Sequence, residues 1–283
     1  AEAFLILSRL ASDDALSSDL LERSITEYAQ AIQLDPTNVD LYLSRGDVRR
    51  DAGRFELALA DYSRALNFEP ESSRAFLQRG NLYYAMAQQR VRVANLERAL
   101  DDYTAALNFD PANVQCLIAR SKAYIGLGQD TMAIEDLLNA LKLSSDKGDV
   151  LTTIGDTYHN LGEFNLALEY FTMAIEIEPQ SDVLFLYRAR SYRALASFEL
   201  ALDDLSRASE LSPEKPLYYI EKANLFIELG RHSEAITALT GAIELLGDEL
   251  ELYVTRANEY EKLGQYGLAA NDYSQALRLD PRN

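Results

Sequence analysis

Tryptophan is absent from the 283 residues, cysteine occurs once and histidine twice. A lone Cys116 cannot close an internal disulfide, and neither His159 nor His232 stands in an HExxH or other ligand spacing. No metal site and no cofactor are therefore expected. Gly126 and Gly128 do not change this, because a phosphate loop needs a preceding strand. Basic residues are in deficit, 27 Lys and Arg against 45 Asp and Glu, for a net charge of -18. Phosphate backbones are held by Lys and Arg presented together, so nucleic acid is not an expected partner. Long apolar runs are missing too: the N-terminal candidate, Phe4 to Leu7, falls far short of the ~18–20 residues of a bilayer span. No direct membrane contact is expected from this segment. The chain opens at Ala1 rather than Met, leaving room for a removed signal, anchor or further domain. Localisation stays open, leaning to a reducing cytoplasm, with an anchored or periplasmic piece as the alternative.

Proline is scarce as well, but its placement is ordered. Six of the seven prolines close the phrases QLDP, NFEP, NFDP, EIEP, ELSP and RLDP, at Pro36, Pro70, Pro111, Pro179, Pro213 and Pro281. Their separations of 34, 41, 68, 34 and 68 residues define a 34-residue period with one seven-residue insertion. On that period the chain tiles as 39–72, 73–113 (with the insertion), 114–147, 148–181, 182–215, 216–249 and 250–283.

Each unit reads as two helices. The first carries a small residue at Gly46, Gly80, Ser121, Gly155, Ala189, Ala223 and Ala257, where helix axes approach. The second carries one alanine at Ala58, Ala99, Ala133, Ala167, Ala201, Ala235 and Ala269, and another seven residues later at Ala65, Ala106, Ala140, Ala174, Ala208, Ala242 and Ala276. Between them stands a large residue: Tyr62, Tyr103, Leu137, Phe171, Leu205, Leu239 or Tyr273. Alternating large and small side chains on one face suits interdigitated packing. Asn38, Ser72, Asn113 and Ser181 are placed as N-caps, Pro216 as a first helical residue, and Gly53, Gly128, Gly162, Gly230 and Gly264 fall in the turns. Phrases such as YLSRGDVRRDAGRFELALADYSRALNFEP resemble the tetratricopeptide repeat over residues 39–283. The resemblance implies an all-α fold, a right-handed α-α superhelical solenoid of helix-turn-helix repeats, continuous along the chain. Residues 1–38 read as a degenerate first repeat whose second helix spans about 17–34, with Tyr28, Ala31 and Pro36 in register and Ser24 in place of the first alanine.

Five repeats pair an arginine before the small residue with an aspartate before the large one: Arg45 and Asp61, Arg79 and Asp102, Arg120 and Asp136, Arg188 and Asp204, Arg256 and Asp272. The fourth repeat loses both members, as Ile154 and Tyr170. These columns adjoin the helix-pair interface, so ion pairs stitching each hairpin, or bridging to its neighbour, are expected.

The resemblance implies a concave surface lined by the first helices, which in repeat arrays is the binding surface. An aliphatic column there holds Leu43, Leu77, Ile118, Leu186 and Ile220; a polar column one turn on holds Asp47, Asn81, Lys122, Asp156, Arg190, Asn224 and Asn258; a third includes Tyr84, His159 and Arg193. An aliphatic stripe beside carboxamides suits an extended peptide, since a carboxamide both donates and accepts; the alternative is that the stripe packs on the neighbouring helix. Arg190, Arg193 and Lys122 are the candidates for an acidic ligand group. The chaperone-tail clamp of some family members is missing, because its lysine column is aliphatic here. His232 shares a column with Phe55, Phe164, Phe198 and Tyr266, and Cys116 one with Leu41, Val150, Leu184 and Leu252, so both read as packing. In the insertion, Arg90 and Arg92 alternate with Val91 and Val93, either as a protruding contact or as a longer hairpin. No catalytic constellation emerges, and the chain is not expected to be an enzyme. The expected function is a scaffold or adaptor holding a protein or peptide in the groove. The alternatives are a self-associating array, dimeric through an uncapped last helix with Ala270, Leu277 and Leu279, or the interaction arm of a larger enzyme or sensor.

Overall fold

The two-column pattern folds as it reads, into helices joined in pairs. A computed structural model describes residues 2, 14–89 and 92–280. Among these the regular elements are fifteen helices: α1 (Asp14–Leu34), α2 (Val39–Asp51), α3 (Phe55–Phe68), α4 (Ser73–Gln89), α5 (Arg92–Phe109), α6 (Val114–Gly126), α7 (Asp130–Leu143), α8 (Gly148–Asn160), α9 (Phe164–Ile177), α10 (Asp182–Ala194), α11 (Phe198–Leu211), α12 (Pro216–Glu228), α13 (His232–Leu246), α14 (Leu250–Lys262) and α15 (Tyr266–Leu279). The first helix expected within residues 1–12, apart from residue 2, and Arg90 and Val91 of the insertion lie outside the described residues. The chain forms two compact units, Ala1–Ser145 and Asp146–Asn283. Within each, every helix packs against the next in chain order. The boundary falls where the closing phrase has lost its proline and reads Ser144-Ser145-Asp146.

The alanine columns form the seams of both units. Ala58, Ala99, Ala133, Ala167, Ala201 and Ala235 are wholly buried, as are Ala65, Ala106, Ala140, Ala174, Ala208 and Ala242. The small residue of the first helix is matched in size to the large residue of the second. A Cβ on Gly46, Gly80 or Gly155 would lie 2.5–2.7 Å from the ring of Tyr62, Tyr103 or Phe171. Where the second helix offers leucine instead (Leu137, Leu205, Leu239), the first carries Ser121, Ala189 or Ala223. Ala257 opposite Tyr273 is the exception, and that ring is partly exposed.

The ends follow local chemistry. Asn38 and Asn113 accept from the amides of Leu41 and Cys116, and the Ser72 hydroxyl accepts from Ala75. Ser181 makes no such bond, contrary to its expected capping role; its neighbour Asp182 instead accepts from Lys215 at the end of its own repeat and from Tyr218 of the following one. The turn glycines Gly53, Gly128, Gly162, Gly230 and Gly264 have φ between 69° and 79°, and Ala196 takes the same place at 55°. The insertion is absorbed by helix: α4 and α5 hold 17 and 18 residues where α2 and α3 hold 13 and 14, so each gains about one turn.

Candidate interaction surface

Each arginine and aspartate named from the sequence meets within its own hairpin. Asp61, Asp102, Asp136, Asp204 and Asp272 are buried, their side chains 4–8% exposed. Each takes Nε and Nη2 of its arginine on its two oxygens, at 2.6–3.0 Å. This is the bidentate fork that suits guanidinium to carboxylate. Four of the arginines also reach back to a hydroxyl on the preceding repeat: Arg79 to Ser63, Arg120 to Thr104, Arg188 to Thr172 and Arg256 to Thr240, at 3.5, 3.3, 3.1 and 2.9 Å. One side chain therefore ties its hairpin shut and registers it on the one before. The hydroxyl column follows the large residue directly and was readable in the sequence; Leu138, before the fourth repeat, where Ile154 replaces the arginine, has lost it, whereas Ser206, before Lys222, keeps it. In the first full repeat Arg49 supplies a further bond to Asp61, at 2.7 Å.

The groove columns divide once neighbours are counted. Leu43 and Leu186 are 1% and 4% exposed, so they belong to the core and offer no surface: the packing alternative holds for these two. Asp47 accepts from the Tyr62 hydroxyl at 2.7 Å and from Gln78 at 3.2 Å. Burial raises its pKa, and the tyrosine bond only partly offsets this. Asn258 accepts from Tyr273 at 2.7 Å. His159 Nδ1 lies 2.8 Å from the Ser191 hydroxyl and its ring stands edge-on to Phe164; burial lowers its pKa against the pull of Asp156, which keeps it neutral near pH 7. Arg190 and Arg193 are not free for an acidic ligand. Arg190 binds Glu221 at 2.5 Å and Arg193 binds Glu228 at 2.8 Å. Asp156 and Asn224 are exposed, and Ile220 is half-buried one turn from Asn224 on α12.

In the first unit the remaining candidates converge. Leu77, Asn81 and Tyr84 on α4 face Ile118 and Lys122 on α6 across a cleft of about 310 Å³, completed by Gln115, Ala119 and the Tyr103 ring. The Tyr103 hydroxyl donates to Asn81 Oδ1 at 2.9 Å, which fixes the carboxamide and leaves its NH₂ to donate. Lys122 is exposed and has no acidic partner among the described residues. Floor, aromatic wall, amide donor and free ammonium thus stand within one concavity. Gln115 was not anticipated, because no column repeats it.

Two residues read as packing differ in outcome. Cys116 is fully buried against the Tyr103 carbonyl, and burial pushes its thiol up to about 12, which leaves it no thiolate character near neutral pH. His232 instead binds Glu259, Nδ1 to Oε2 at 2.6 Å, while Lys262 holds the other oxygen at 2.7 Å. The reason is Glu259 itself, 2% exposed in a column otherwise filled by Val48, Leu82, Ala123, Thr157, Ser191 and Leu225. A carboxylate buried there requires partners. Among the described residues no His, Cys, Asp or Glu group could hold a metal ion, and no helix is long and apolar enough to cross a membrane.

Comparison with known proteins places these columns in a wider setting. Family models described as TPR or tetratricopeptide repeat match residues 20–49, 46–86, 114–147, 148–181, 186–248 and 250–283. The C-terminal part of a TPR repeat-containing protein from Cytophaga hutchinsonii superposes with a TM-score of 0.71 at 19% identity, covering 84% of this chain and 95% of that one. YrrB, described as a TPR protein with an unusual peptide-binding site, gives 0.54 at 22% identity over 69% of this chain and 97% of its own. The Cut9–Hcn1 assembly of the APC/C gives 0.55 at 17% identity over 95% of this chain and 53% of that one. At such identities the likeness concerns the fold alone. A UDP-N-acetylglucosamine–peptide N-acetylglucosaminyltransferase from Giardia intestinalis is 34% identical over 55 residues, which is 19% of this chain and 4% of that protein.

Proposed function

Since the chain belongs to the tetratricopeptide repeat superfamily, whose fold is typically a non-catalytic scaffold for protein–protein interaction, we propose that it is an adaptor holding an extended peptide in the cleft between α4 and α6. The observation that carries this reading is the convergence of Leu77, Asn81, Tyr84, Ile118 and Lys122 on that one cleft. An apolar side chain settles on Leu77 and Ile118 against the Tyr84 ring. The Asn81 NH₂ donates to a peptide carbonyl, and Lys122 meets a carboxylate. YrrB's described peptide-binding site supports the reading by analogy of fold. The short match to a glycosyltransferase lies in repeat sequence, and the adaptor is not itself an enzyme.

The test is selection from a random peptide display library on the full chain, followed by binding of the enriched peptides to a Tyr84→Ala, Lys122→Glu variant. Both side chains are at least partly exposed, so circular dichroism should be unchanged. Loss of binding by more than tenfold is expected. Equal binding to the variant overturns the assignment of the cleft.

A second reading has its own support. Leu277 is 51% exposed, whereas Leu66, Leu107 and Ile243, its counterparts in earlier repeats, are each 8% exposed. Self-association through α15 would cover it. Light scattering of the wild type and Leu277→Glu decides this: a dimer lost in the variant supports it, and a monomeric wild type removes it.

A further inference from the structure

Of the five repeats that keep the Arg–Asp pair, four place an aromatic residue one turn before the arginine. The guanidinium carbon lies 5.7 Å from the Tyr42 ring for Arg45, 5.6 Å from Phe76 for Arg79, 5.7 Å from Phe185 for Arg188 and 5.8 Å from Tyr253 for Arg256. In the first two of these repeats that ring also meets one near the end of the paired helix, Tyr42 with Phe68 at 5.8 Å and Phe76 with Phe109 at 6.0 Å. The third repeat has leucine at both places, Leu117 and Leu143. Arg120 keeps its carboxylate and one ring, Tyr124, at 5.8 Å. On the Leu117 side, where its counterparts carry an aromatic ring, an open cleft of about 430 Å³ remains, lined by Leu117, Arg120, Asn139, Lys142 and Leu143 among others. Leu143 is half exposed, and Lys142 at the rim is exposed and has no acidic partner among the described residues.

We infer that this cleft is a second interaction site, which takes an aromatic side chain from a protein partner whose adjacent residues are acidic. The ring would lie on the guanidinium of Arg120 between Leu117 and Leu143, restoring from outside the contact that the other four repeats build from within. A ring buried there gains apolar area together with a cation–π contact. The arginine is already held in place by Asp136, so little ordering is needed to receive it. Lys142 supplies the charge complement for the flanking carboxylates. The cleft shares no residue with the one between α4 and α6, so the two sites succeed or fail separately.

The experiment is a titration of the full chain, methyl-labelled at leucine, with the blocked peptide Ac-Asp-Phe-Asp-NH₂ and with its Ac-Asp-Leu-Asp-NH₂ control. Saturable shifts at the Leu117 and Leu143 methyls are expected, at least severalfold weaker for the control and for Lys142→Glu. Binding should vanish in Leu117→Phe, which fills the cleft with the ring its neighbours carry; Leu143→Phe is the second filling variant should the first perturb the spectrum globally. Absence of saturable shifts at these methyls, equal binding of the leucine control, or undiminished binding to a folded filled variant overturns the inference.

Discussion

Asp204 lies almost out of water with both oxygens on Arg188, which turns hairpin stitching into an energetic commitment. Removing the arginine leaves a buried carboxylate uncompensated, so Arg188→Ala should lose ~3 to 5 kcal/mol in urea unfolding. Arg188→Met with Asp204→Leu should recover most of it, because a packed apolar pair avoids both desolvation costs. Asp182 makes a different prediction. Burial alone would raise its pKa, but hydrogen bonds from Lys215, Tyr218 and Ser212 outweigh it and bring the carboxyl down to about 2. Its folded value is depressed, so its stabilisation is present above the unfolded value of about 3.9 and is lost as pH falls towards 2. Wild type should therefore exceed Asp182→Asn in stability near neutrality, the gap closing below about pH 4. Paired columns made the Arg–Asp bridges legible in the sequence. The partners of Arg190 and Arg193 were not, because Glu221 and Glu228 answer them only once and leave no column to read.

Helix pairing turns on a few ångströms at the small-residue column. The Gly155 backbone approaches the Phe171 ring so closely that a methyl group would stand 2.7 Å from it. Gly155→Ala should cost ~1 to 3 kcal/mol by overpacking, and adding Phe171→Leu should restore much of it, since Ala with Leu is the pairing of the fifth and sixth repeats. In the α10–α11 turn, Ala196 adopts the positive φ that glycine takes at Gly53, Gly128, Gly162, Gly230 and Gly264 between the helices of other pairs. Ala196→Gly should raise the unfolding midpoint, by an energy of about 1 kcal/mol at most, since relief of left-handed strain is offset by a more flexible unfolded chain. The helices and their turns were legible because period, alanine and proline repeat independently. The missing Ser181 cap was not; the neighbouring Asp182 is instead engaged by Lys215 and Tyr218, 33 and 36 residues onward, outside any local pattern.

Across the whole chain, the repeats build two compact units that share one internal grammar, and both proposed binding clefts lie at places where that grammar is broken. Lys122 and Arg190 interrupt a column of Asp and Asn, and Leu117 and Leu151 a column of rings; of these breaks, Lys122 and Leu117 each border a cleft in the first unit. The sequence columns spread the candidate groove along the array and singled out Lys122, Arg190 and Arg193 for an acidic group. Leu43 and Leu186, members of the aliphatic column that proved buried, differ from Leu77 only in how closely neighbouring helices cover them, which is a tertiary property. Hydrogen–deuterium exchange of the full chain, with and without a peptide selected on it, tests the central claim most directly. The account predicts added protection in α4 and α6 of the first unit; protection confined to α14 and α15, with α4 and α6 unchanged, would contradict it.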